Sequence, residues 1–364
     1  MKKNYLFSLI FLGFYFITSA QNFTYDNNQL GVKLDSILNN EFKADEPGCA
    51  VLVSRKGEIV YKNAFGMANM EFNIPNSTDG VFEIASMSKQ FTGIAIMQLV
   101  EQGKIDLQDS ITKYIPDYPT QGYIITIEHL LTNTSGIKDF GVMEQLNPTV
   151  WRVDYAPKDF IEFFKNEKMD FAPGTKFNYS NSGFYLLGYM IEKVSGMSYE
   201  EYVEKNIFEP AGMTNSSFNH YNKIVKNRVK GYVKGENGFE NCEYVSPTIF
   251  YSAGGLLSTI DDFNKFYQAL TSYKLLSKEN LAKAWTSYTL QNGKKTGYGY
   301  GIQIRKIDGY QTVSHAGGGV GFYTQQWYFP EFDAHFIMYT NCENYAEKDS
   351  LIFKLAKLSV KNGE

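Results

Sequence analysis

Cysteine and histidine are scarce in this sequence, with three and four respectively in 364 residues. Cys49, Cys242 and Cys342 lie far apart without the short paired spacing of a zinc site, and an odd number allows at most one disulfide. The fold must therefore rest on its core, with these thiols expected to be buried and free. His129, His220, His315 and His335 are scattered, with no His-x-x-His or Glu-x-x-His spacing. The residues thus call for no metal and no other cofactor. A basic surplus is missing too: 35 Lys plus Arg against 39 Asp plus Glu leave a net charge of −4 and a pI near 5.7. No Lys/Arg cluster forms a stripe, which excludes nucleic acid as a partner. With 43% hydrophobic and 20% charged residues the chain has an ordinary folded composition, long enough to bury a sizeable core.

A long apolar run occurs once, at the start. Lys2 and Lys3 precede an almost unbroken apolar stretch over 5–17, followed by Thr18, Ser19 and Ala20. A cationic start, a short apolar segment and small residues before Gln21 read as a secretory signal peptide over 1–20. The stretch is shorter than the roughly 20 apolar residues of a membrane span. The expectation is an exported protein, periplasmic or secreted, with no stable membrane span after cleavage and no lipid anchor, since no cysteine follows the run.

Residues 21–44 read as a lead, and 45–362 as one domain. Apolar-rich runs at 50–55 and 58–61 flank Lys56-Gly57, a two-residue hairpin turn. From 86 to 102 the spacing becomes helical, with Phe91, Ile94, Ala95, Leu99 and Val100, and Gly103 supplies a stop. Helical patches at 127–131, 160–168, 185–194 and 262–270 fall within an inserted, mainly helical lobe at about 104–290. Ser258 or Thr259 before Asp261 and Asp262 reads as a helix cap with first-turn acids, not as catalytic carboxylates. Strand patterns return at 301–307, 311–315, 322–329 and 334–341, and a helix follows at 351–358. Strands at both ends with helices between imply an α/β (α+β) fold: a mixed, largely antiparallel sheet assembled from both chain ends, with flanking helices.

The candidate nucleophile is Ser86 of Ser86-Met87-Ser88-Lys89. Three residues apart on a helix, Ser86 and Lys89 share a face, and an amine shielded from water can lose its proton and serve as base. The string alone is uninformative, because Ser110 with Lys113 and Ser135 with Lys138 match it too. Only Ser86 joins a buried-looking run to a strong helix. Tyr-x-Asn likewise occurs at Tyr25, Tyr61, Tyr179 and Tyr339, but Tyr179-Ser180-Asn181 alone follows a Pro173-Gly174-Thr175 turn and precedes a helix. A phenol there can relay a proton if nearby cations lower its pKa. Third, His315-Ala316-Gly317-Gly318-Gly319 runs a strand into glycines, whose free N–H groups suit an oxyanion. Lys295-Thr296-Gly297 reads instead as a surface turn. No Gly-x-Ser-x-Gly is present, which removes an α/β-hydrolase nucleophile elbow.

These three elements stand in order among Pro47-Gly48, Phe65-Gly66, Ala68-Asn69, the block 82–89, Leu130-Leu131-Thr132-Asn133-Thr134-Ser135-Gly136, Pro210-Ala211-Gly212-Met213 and Gly254-Gly255-Leu256. With them the chain, over roughly 45–342, resembles the penicillin-recognising serine hydrolases: class C β-lactamases, D-alanyl-D-alanine carboxypeptidases, D-aminopeptidases and related esterases. The resemblance implies a β-lactamase-like fold with the cleft between sheet and helical lobe. It implies Ser86 as acylated nucleophile, Lys89 and Tyr179 as proton-transfer pair, Asn181, His315 and Gly317 as substrate-binding residues, and the N–H groups of Ser86 and Gly318 as oxyanion hole. The expected partner is a small molecule or a peptidoglycan-derived peptide.

Two departures matter. Asn133 stands where relatives often have histidine. His315-Ala316-Gly317 replaces the Lys-Thr-Gly common in β-lactamases, removing a strong cation and a hydroxyl from the side that meets a substrate carboxylate. The expectation is an acyl-enzyme hydrolase of amides or esters, D-amino-acid peptides or small acyl esters, that favours substrates without a free carboxylate. The competing readings are a true β-lactamase and a module that binds penicillins or peptidoglycan fragments without turnover.

Overall fold

The computed structural model describes residues 26–344 and 349–360, so the signal peptide expected at 1–20 lies outside the described residues. Its first element falls in the lead. Helix α1 (Asn27–Glu41) starts at Asp26, whose carboxylate accepts from the N–H groups of Asn28 and Gln29 at 3.0 and 3.1 Å. Leu30, Leu34 and Leu38, spaced by four, form its buried stripe. The lead expected at 21–44 is therefore helical over most of its length, and that stripe is its sequence signal.

Strands β1 (Cys49–Arg55) and β2 (Glu58–Phe65) join through Lys56 and Gly57, at φ 51° and 79°. Both are left-handed, as a type I′ hairpin requires, and β2 runs four residues past its expected end. Helix α2 (Ser88–Glu101) follows, buried continuously from Ser88 to Leu99. The inserted part contributes α3 (Asn181–Ser195), α4 (Pro247–Gly254) and α5 (Ile260–Thr271). Thr259 caps α5 by accepting from the Asp262 N–H, and the Asp262 carboxylate accepts from the Asn215 N–H and from Lys265, consistent with a structural role. The expected helix at 160–168 is instead Pro157–Ile161 followed by turns, and short strands thread the lobe, with Leu256–Ser258 pairing both Phe82–Glu83 and Ser217–Phe218. Two- and three-residue strands are too short to leave a periodicity.

Strands β3 (Gln303–Ile307), β4 (Tyr310–Gly319), β5 (Phe322–Phe329) and β6 (Ala334–Thr340), then helix α6 (Asp349–Leu358), complete the fold. The six-stranded sheet has the order β3-β4-β5-β6-β1-β2, so β6 from the end of the chain pairs β1 from its beginning. All five pairings are antiparallel, a correction to the mixed sheet expected. Alternate residues divide the core: Val51, Val53, Phe336 and Met338 meet α1 and α6, while Ala50, Leu52, Ile337 and Tyr339 meet the face under α2 and α5. With both faces covered, β1, β5 and β6 are buried along their whole length. Cys49 and Cys342 are buried and Cys242 half-buried, and none of the three forms a disulfide. Among the described residues no helix is long and apolar enough to cross a membrane.

Candidate active site

A 3-10 turn, Ala85–Met87, links the short strand Phe82–Glu83 to α2. Ala85 is left-handed at φ 44°, a conformation costly for any residue with a Cβ, and it turns the chain sharply just before Ser86. Lys89 follows on the first turn of α2 and is fully buried. Its Nζ lies 3.1 Å from Ser86 Oγ, 2.8 Å from Asn181 Oδ1 and 2.7 Å from the Ala253 carbonyl oxygen of α4. The Tyr179 ring stands 4.9 Å and the Phe184 ring 5.6 Å from the same nitrogen.

Burial pulls the Lys89 pKa from 10.5 down to about 7, against a smaller upward pull from the Asp139 carboxylate. Half of the molecules then carry a neutral amine near pH 7. The Tyr179 phenol behaves oppositely. Burial raises its pKa, the Asp139 charge adds to that, and the hydrogen bond with Ser86 only partly offsets it. No cation lowers this pKa, so Tyr179 stays protonated, a state that can give a proton but not take one.

Tyr179 is held by its loop. Asn133, left-handed at φ 56°, accepts from the Ser180 N–H at its Oδ1 and from the Asn178 N–H at its carbonyl, so it braces Tyr179 from both sides. The departure at Asn133 is thus a scaffold for the site.

Strand β4 continues through the glycines to Gly319 rather than loosening into a turn. Gly317 packs where a Cβ would lie 2.2 Å from the Ile84 carbonyl oxygen and 3.1 Å from the Ser86 nitrogen. Only glycine brings β4 this close to the turn that carries Ser86. His315 points inward and is 3% exposed. Its Nδ1 contacts the Ala316 carbonyl oxygen at 2.6 Å and its Nε2 the Tyr298 hydroxyl at 2.9 Å. A carbonyl only accepts, so Nδ1 carries the proton and Nε2 accepts from Tyr298. Burial, with the Lys89 charge, lowers the His315 pKa to about 3. Both nitrogens are engaged inside the protein, so His315 stays neutral near pH 7 and stands at the cavity bonded to Tyr298.

Ser86, Tyr179, His315 and Gly318 line one cavity of about 440 Å³, of a size suited to a small ligand. Lys89 and Asn181 sit behind it, and Gly317 packs beneath. The cavity also holds residues that sequence reasoning missed: Phe177, Tyr298, Gln303, Arg305, and Thr296 with Gly297 from the turn set aside as superficial. Antiparallel register pairs Gln303 with Ser314 and Arg305 with Thr312. Alternation then places Gln303, Arg305 and Ala316 on one face of the β3–β4 pair. The Arg305 guanidinium has no hydrogen-bond or ion-pair partner among the described residues, so a cation does stand on the Ala316 side, supplied by the neighbouring strand.

The other two Ser-x-x-Lys strings are disarmed. Lys113 pairs with Asp109 at 2.7 Å and Lys138 with Asp170 at 3.3 Å, while Ser110 and Ser135 accept from the N–H groups of Thr112 and Ile137. Among the other tyrosines, Tyr61 bonds Asp35 and Tyr339 is buried in the sheet.

A family profile described as Beta-lactamase matches residues 35–360. Penicillin-binding protein 4* of Bacillus subtilis is 31% identical over 323 residues, covering 84% of this chain and 71% of the relative. A solved penicillin-binding protein from Bacillus halodurans superposes with a TM-score of 0.77 at 31% identity, covering 87% of this chain and 98% of that one. The D-amino acid amidase of Ochrobactrum anthropi SV3 shares the fold, with a TM-score of 0.78 at 21% identity and coverages of 91% and 99%.

Proposed function

Because the chain belongs to the beta-lactamase family of serine hydrolases, we propose that Ser86 is its acylated nucleophile and that it hydrolyses an amide or ester. D-amino-acid peptides, including those derived from peptidoglycan, and small acyl esters form the substrate class. One observation carries the reading: the three oxygens around Lys89 Nζ are unequal. Asn181 Oδ1 and the Ala253 carbonyl can only accept, so a neutral amine gives them its two N–H groups and turns its lone pair to the Ser86 hydroxyl.

The bond from Ser86 Oγ to the substrate carbonyl carbon forms as the hydroxyl proton passes to Lys89. The carbonyl electron pair moves to oxygen, where the N–H groups of Ser86 and Gly318 receive it. Collapse breaks the bond to the leaving group, which takes a proton from Tyr179, itself resupplied from Lys89. Water then attacks the acyl carbon with Lys89 again as base, releasing the acid and restoring Ser86. The leader at 1–20 supports export to the periplasm or medium, where peptidoglycan fragments occur. Turnover of β-lactams is less supported, because Ala316 has no hydroxyl.

Intact-mass analysis after exposure to p-nitrophenyl acetate or benzylpenicillin tests the reading. Wild type, Ser110→Ala and Ser135→Ala should each gain one acyl group, Ser86→Ala none. Decay of the adduct marks turnover, and a persistent one the capture-only alternative. Unchanged labelling of Ser86→Ala would reject the assignment.

A further inference from the structure

Asp139 is absent from all three sequence elements yet is fastened to one of them, at Asn181. It precedes the turn Phe140–Val142, and its Oδ1 accepts from the Asn181 N–H at 2.8 Å while Oδ2 faces Asn181 Nδ2 at 3.5 Å. Its neighbours stitch the same two segments together. The Phe140 N–H donates to Ser182 Oγ at 2.9 Å, and Ser182 Oγ donates to the Lys138 carbonyl at 2.7 Å. The first turn of α3 is thus clamped onto residues 138–140.

We propose that Asp139 is a positioning residue for acylation: it locks the Asn181 amide with its oxygen towards Lys89, and so aims the Lys89 lone pair at Ser86. The inference rests on the acyl-enzyme reading above. An amide has one accepting and one donating end, and a carboxylate only accepts. A flipped Asn181 would set oxygen against the Asp139 carboxylate and an N–H against those of Lys89. Without the carboxylate both orientations become accessible, and the flipped one would release Lys89 from the contact that orders its remaining N–H.

Charge gives the clamp a second signature. The groups facing Lys89 are Ser86, Asn181, the Ala253 carbonyl, the Tyr179 and Phe184 rings and neutral His315. On the other side, Lys138 turns to Asp170 and leaves Asp139 without a cation at contact distance. The Asp139 charge therefore favours the protonated form of Lys89, in opposition to burial. Losing the charge should move the acid limb of acylation to lower pH, while losing the orientation should lower the plateau.

The experiment is the rate of acylation by p-nitrophenyl acetate against pH, a probe whose leaving group needs no proton. It compares wild type, D139N, D139A, N181A and the D139A/N181A double variant, each first shown to melt cooperatively. D139N keeps the size of the side chain, so it carries the test if D139A does not fold. The acid limb of D139N should move down by about half a unit or more. The D139A plateau should fall about tenfold, with the double variant no worse than N181A, because residues acting through one contact fail together. An unmoved limb in D139N, or losses that multiply in the double variant, would overturn the proposal. Wild type unlabelled at Ser86 would instead overturn the acyl-enzyme reading, and that result needs no Asp139 variant.

Discussion

Replacing Lys89 by methionine keeps the length and removes the amine, and it should separate activity from stability in a way tied to one buried proton. With the pKa lowered from 10.5 to about 7, the neutral fraction at pH 7 rises from roughly one in 3,000 to about a half, a gain on the order of 1,500-fold. Wild-type acylation should therefore climb along a limb centred near pH 7, and Lys89→Met should lose at least about 100-fold, the scale of a missing proton-transfer group. The same shift acts on folding. Between the two pKa values the unfolded chain holds a proton that the folded chain does not, so stability increases with pH from 7 to 10.5. Going from pH 9 to pH 7, wild type should lose about 2 kcal/mol relative to Lys89→Met, and below pH 7 the difference should stay constant. The methionine leaves Asn181 Oδ1 and the Ala253 carbonyl without the amine, an offset that does not vary with pH and drops out of the slope. Urea unfolding of both proteins from pH 6 to 9, beside acylation rates over the same range, provides the assay. Parallel stability curves would mean that Lys89 is charged when folded, and the assignment of the base would fall with them.

With an amide substrate, whose leaving amine needs a proton, Tyr179→Phe should also slow acylation by at least about 100-fold, and a double variant with Lys89→Met should be little worse than the poorer single one, since both lie on one proton path; losses that multiply would place them in separate steps. Arg305→Ala should lower kcat/KM about tenfold for a substrate with a free carboxylate and leave the matched methyl ester unchanged, the modest size reflecting an exposed guanidinium; equal losses on both would remove Arg305 from carboxylate binding. Burial lowers the His335 pKa from 6.5 to about 3, so its contribution is complete above 6.5 and is lost as pH falls towards 3. His335→Asn should then lessen the loss of stability between pH 8 and pH 5 by about 2 kcal/mol, read by urea unfolding; an identical loss in both proteins would contradict a neutral buried His335.

The preference against free carboxylates expected from Ala316 and His315 follows from one strand alone, and Arg305 of the neighbouring strand lines the same cavity. Arg305 reaches the cavity only because β3 pairs with β4 at a register that sets Gln303 beside Ser314. The same limit applies to Thr296 and Gly297, which sequence alone makes a surface turn and which folding carries to the cavity wall.

Local patterning settled much of this protein. The Lys56-Gly57 hairpin, the helix behind Ser86, the strand pattern near the end of the chain and the Thr259 cap are written in short-range rules of turn chemistry and periodicity, which act between residues a few positions apart. That Ser86, unlike Ser110 and Ser135, stands just ahead of a long buried helix was legible for the same reason. What tertiary structure decided are the quantities that depend on distant segments meeting: the lowered pKa of Lys89, the protonated state of Tyr179, the inward turn of His315 to Tyr298, and the clamp of Asp139 on Asn181. Each depends on desolvation or on a hydrogen bond between residues from 17 to 164 positions apart. Spacing along a chain carries no record of which groups lose their water, and that loss sets which of them holds the proton.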